Sequence, residues 1–95
     1  MSNTTKERAA RLALDTHDAL READKSEPPS DNNGMPFDRE TWLRWRTETS
    51  EPAYARWKEA MDALDAAMGD SVGRHPYTFR PICEEILGIA AVREP

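Results

Sequence analysis

Apolar side chains recur at spacings of three and four through Tyr54, Trp57, Met61, Leu64 and Met68, the strongest periodic stripe in the chain. That period is helical, because residues three and four apart stack on one side of an α-helix. Ser50 is placed to cap the start and Pro52 falls in the first turn, where its missing N–H costs nothing. Gly69 follows the last apolar position as a helix-ending glycine does. Upstream, "DRETWLRWRTE" from Asp38 to Glu48 predicts another helix. Asp38 suits its N-cap, Phe37 is placed to fold over Trp42, and Glu40, Arg44 and Glu48 follow one another at ion-pairing distance along the helix. A short turn at "TSE" would join the two as an antiparallel pair.

Thr4 and Glu7 have capping-box spacing, so a first helix is expected from Thr5 to about Ala23. Its predicted apolar face is Ala9, Leu12, Ala13, Thr16, Ala19, Leu20 and Ala23, with Leu14 displaced beside Ala10 and His17. An alanine-rich face admits another helix closely but buries little, since each absent methylene forgoes about 0.8 kcal/mol. The stretch "KSEPPSDNNGMP" that follows reads as a flexible tether. "DSVGRHPYTFRP" reads as an irregular connection, and Pro81 as the first residue of a last helix, "PICEEILGIAAV". In that helix Ile82, Cys83, Ile86, Leu87, Ile89 and Ala90 cover a broad arc, and Gly88 lies on the exposed side.

The pattern predicts a small all-α protein of about four helices. An N-terminal amphipathic helix, 1–24, is followed by a flexible linker, 25–36, and a compact three-helix unit, 37–95. The N-terminal helix either docks on that unit or extends as a separate arm. Trp57, Met61 and Leu64 are expected at the centre of the core, with Trp42 or Trp45 and Ile86.

Composition narrows the class further. Ninety-five residues make one domain with a small core, and a mean hydropathy of -0.84 marks a wet exterior. The net charge is -5, and its excess sits in the linker and in 51–70, where five acidic residues face two basic ones. No segment is basic, so the footprint of a phosphate-backbone binder is missing. The single cysteine, Cys83, excludes an internal disulfide and favours a reducing compartment. The chain shows no signal-peptide core and no membrane-spanning run, which points to the cytoplasm.

The connection Arg74, His75, Tyr77, Phe79 and Arg80 combines aromatic, basic and imidazole side chains, the mixture enriched at binding hot spots. It is the first choice for a partner-binding surface. Leu14 and the acidic stripe of Glu59, Asp62 and Asp65 are the second. In "DRETWLRWRTE" the two tryptophans are expected to form a core corner, one of them open to partial exposure, with a protein contact as the alternative. His17, His75 and Cys83 are too scattered for a metal site, and no nucleophile elbow or phosphate loop is present, so no cofactor and no catalysis are expected. A helix-turn-helix over the second and third helices would present a reading segment, 51–70, of charge -3 to DNA, so nucleic acid is an unfavoured partner. The resulting expectation is a non-enzymatic intracellular protein-binding module, a phage or bacterial inhibitor or regulator, with homodimerisation open. The alternative is a dimeric DNA-binding transcriptional or antitoxin-like regulator.

Overall fold

A computed structural model describes residues 4–88 of the chain. It is all-α: α1 (Thr4–Lys25), α2 (Arg39–Trp45), a π-helical segment (Arg46–Ser50), α3 (Glu51–Met68) and α4 (Pro76–Leu87). The described residues contain no strand, only an isolated bridge between Ser30 and Pro36.

The expected turn between the second and third helices is absent. Trp45, Arg46, Ser50 and Glu51 all hold right-handed helical dihedrals, so 39–68 is one unbroken rod and not an antiparallel pair. Pro52 accounts for the π segment. A proline inside a helix has no N–H to offer and its ring crowds the carbonyl four residues back, here that of Glu48. The backbone opens by one residue just before it, and the Glu51 N–H reaches back five positions to the Arg46 carbonyl. Ser50 makes no side-chain cap, because it lies within the rod.

α1 docks across α3 and α4, so the N-terminal helix is not a separate arm. Ala10, Ala13, Leu14, His17, Trp57, Met61, Leu64, Phe79 and Cys83 are all buried, and Ile82, Ile86 and Leu87 pack partly against this core. The buried face of α1 is rotated from the predicted one: Leu12 is 49% exposed, whereas Leu14 is 6% exposed. Turning Leu14 and His17 inward in place of Thr16 and Ala19 removes larger side chains from water. Leu14 is therefore a core residue and is withdrawn as a partner contact.

α4 starts five residues ahead of the predicted position. His75 is its N-cap, with Nδ1 accepting the Tyr77 N–H at 3.2 Å, and Pro76 takes the first turn. Pro81 lies inside the helix, where it leaves the Tyr77 carbonyl without its usual i+4 donor; Tyr77 is 87% exposed, so water reaches this turn. Gly88 ends α4 at φ 73, a left-handed cap that favours glycine. The predicted continuation through Ile89 and Ala90 falls outside the described residues.

Trp42 and Trp45 are half-buried and belong to a different cluster from Trp57. Trp42 Nε1 donates to Glu27 Oε2 at 2.9 Å. Trp45 Nε1 donates to the Ala23 carbonyl and to Ser26 Oγ, at 3.2 and 3.0 Å. They clasp the end of α1 and the linker. Within the linker, Asp31 Oδ1 accepts the Asn33 and Met35 N–H groups, the Asp31 N–H returns to the Met35 carbonyl at 2.8 Å, and Gly34 sits at φ 81. The segment is thus folded back on itself by its own hydrogen bonds.

Candidate functional site

The predicted hot-spot residues divide between two duties. Phe79 is fully buried, edge-on to His17 at 5.0 Å and tilted against Trp57 at 5.9 Å, so it covers the core and is withdrawn as a partner contact. The reason is the early start of α4: on a helix, Phe79 and Cys83 are four apart and turn inward together. Arg74 is engaged by the acidic stripe. Its two terminal nitrogens reach both oxygens of Asp65, Asp62 Oδ1 at 3.2 Å and the Val72 carbonyl at 2.7 Å. Asp65 also accepts the Val72 N–H at 2.8 Å. These bonds hold the Asp65 carboxyl below the usual carboxylate range, Arg74 being the larger cause and the Val72 N–H the next. Arg74, Asp62 and Asp65 therefore fasten the 69–75 connection to α3, while Glu59 stays exposed.

The remaining predicted residues, His75, Tyr77 and Arg80, line an open groove of about 560 Å³ between α1 and the start of α4. His17 and Arg21 form its α1 side, and Pro76, Pro81 and Glu84 complete it. His75 stacks on Tyr77 with ring centroids 5.0 Å apart. Arg80 Nη1 donates to His17 Nδ1 at 2.7 Å and to Asp18 Oδ1 at 3.0 Å. Burial pushes the His17 imidazole below its ordinary pKa, the Arg80 and Arg21 charges push the same way, and Asp18 opposes them. At neutral pH these effects favour the uncharged imidazole at His17. Sequence reasoning missed His17, Asp18 and Arg21; their one signal was the spacing of Leu14, His17 and Arg21 along a single helical side.

A second surface lies at the other end of the rod. No residue of α2 or the π segment is buried, and Met35, Phe37 and Leu43 are 64%, 71% and 41% exposed. The Arg46 guanidinium lies 5.7 Å from the Trp42 ring centroid, over its face.

Other chemistry is sparse. Among the described residues no three His, Cys, Asp or Glu side chains gather as metal ligands. Cys83 is buried and desolvation raises its pKa, which keeps the thiol protonated. No helix among the described residues is long and apolar enough to cross a membrane. The tight turn that a helix-turn-helix needs, expected at 49–51, is occupied by helix.

Compared with protein-family models, curated proteins and solved structures, the chain matches none.

Proposed function

We propose that this chain is a non-enzymatic module that binds another protein, and that it makes the contact through the end of the rod around 35–46. One observation carries the reading: three large apolar side chains, Met35, Phe37 and Leu43, stand at the surface of a segment that buries nothing in the core. Two half-buried tryptophans and three arginines, Arg39, Arg44 and Arg46, lie in the same stretch of chain. Aromatic anchors with Arg around them are the composition of an interface centre. The partner that fits is a protein surface with an apolar pocket and a mixed-charge rim. Action as an inhibitor or regulator, in a bacterium or phage, is the role we assign to such a contact.

The test pairs binding with stability. Phe37→Asp together with Leu43→Asp should abolish capture of a specific partner from an extract of the native host, with melting unchanged. Equal capture by wild type and variant would move the contact elsewhere. A DNA-binding regulator would instead be retained on DNA and released steeply by salt.

A further inference from the structure

We infer that the groove between α1 and the start of α4 binds an oxyanion, the carboxylate or phosphate of a small ligand that also carries a flat apolar portion. The site is independent of the protein contact proposed above. The uncommitted side-chain nitrogens that line it all donate.

Arginine offers donors and no acceptor. The Arg80 contact to His17 Nδ1 therefore requires that nitrogen to be unprotonated, and the neutral ring carries its hydrogen on Nε2. The same logic fixes His75, whose Nδ1 accepts the backbone N–H of Tyr77. Each imidazole thus presents a donor as its remaining group. Only Nη1 of Arg80 is engaged among the described residues, which leaves Nε and Nη2, the side edge of the guanidinium that matches an oxyanion with two parallel bonds. Arg21 has no hydrogen bond or ion pair among the described residues, and its charge is felt at His17. The one carboxylate lining the groove, Glu84, has a partner of its own.

A groove whose uncommitted side-chain nitrogens are all donors selects a ligand that brings acceptors to them, and two guanidinium groups select a negative one. In a chain of net charge -5 this concentration of donors is local. The stacked His75–Tyr77 pair, inclined by 26°, and the two prolines supply apolar walls, so the ligand's second feature is a flat apolar body. The volume lies within the range of small-molecule sites, about 300–1,000 Å³.

The experiment is an NMR titration of the full chain with phenyl phosphate, with benzoate and, as a neutral control, with phenol. Saturable shifts are expected with phenyl phosphate or benzoate, confined to His17, Arg21, His75, Tyr77 and Arg80, and absent with phenol. Arg21→Glu, which places a carboxylate of the chain itself beside the site, should weaken binding by roughly tenfold or more, as loss of a charge-assisted hydrogen bond implies. Should that variant fold poorly, Tyr77→Ala replaces it as the test of the apolar wall. No saturable shift from either anion, equal response to phenol, or undiminished binding by the variants would each overturn the assignment.

Discussion

The two ends of the long rod carry the same kind of side chain and use it in opposite ways. Trp57, near the middle of α3, is 8% exposed and its Nε1 is buried without an acceptor among the described residues. Trp42 and Trp45, at the other end, are half-exposed, yet both indole N–H groups are satisfied. At the core end α1 and α4 close over the ring. An indole buries about 150–250 Å², or about 4–6 kcal/mol at 25 cal/mol per Å², which exceeds the roughly 1–3 kcal/mol cost of an orphaned donor. At the far end no other helix among the described residues closes over the rings, and the hydrogen bonds to Glu27, Ala23 and Ser26 turn them into clasps on the linker. Burial decides the first end and polar bonds the second.

The largest expected effect follows from that contrast. Leu64 is fully buried, so Leu64→Ala should cost about 2–5 kcal/mol. Leu43→Ala, at a site 41% exposed on the projecting end, should cost under about 1 kcal/mol. Reversible denaturant melts of the two variants measure the gap. Equal losses would mean that the projecting end is packed as tightly as the core.

The same contrast separates what the residues made legible from what they did not. The all-α class and the stripe of Trp57, Met61 and Leu64 follow from periodicity, which reports the face of a helix wherever enough large apolar groups share it. Periodicity says nothing about which of two faces wins when both are nearly alanine, which is why Leu14 and Leu12 exchanged places. It is equally blind to proline context: Pro52 and Pro81 both resemble helix starts, and only the tertiary structure shows helix continuing on their N-terminal sides. The groove was partly legible. His75, Tyr77 and Arg80 stand out in the chain, but their α1 partners lie roughly sixty residues away and become neighbours only through docking.

A smaller effect tests how the core end is fastened. Arg74→Ala removes the two-oxygen contact with Asp65, at a site where the Asp65 side chain is 25% exposed and that of Arg74 39%. The expected loss is about 1 kcal/mol, the upper part of the range for partly exposed ion pairs. Arg46→Ala, whose partner Glu51 is 58% exposed at the other end, should be close to neutral. A double-mutant cycle with Asp65→Asn would show whether the Arg74 loss belongs to that pair.

Between about pH 7 and about pH 5 acid should act on the core end, through His17. The folded state holds His17 neutral, below its ordinary value of 6.5, whereas the unfolded chain takes up a proton near that value. The unfolded state binds more protons in this window, so stability is full above about pH 6.5 and falls as pH drops toward the lower folded value. Asp65 adds a second loss below its ordinary 3.8, because its folded carboxyl titrates lower still. Urea melts should therefore weaken from about pH 7 to about pH 5, and His17→Asn, which retains an acceptor for Arg80, should flatten that slope. An unchanged slope would assign the pH dependence to another group.

The smallest stability effect belongs to Phe37, and there smallness is the informative result. Its ring is 71% exposed, and its N–H bonds the Pro29 carbonyl through the backbone, which a side-chain change leaves in place. Phe37→Ser should move the unfolding free energy by no more than about 0.5 kcal/mol, as surface substitutions do. A ring kept at the surface without a share in stability is free to serve a contact, and its loss should then appear in partner capture and not in the melt. A destabilisation above about 1 kcal/mol would instead place Phe37 over Trp42 as a staple of the fold. In that case the projecting end would be a second, smaller core, and the difference between the two ends of the rod would be one of size and not of kind.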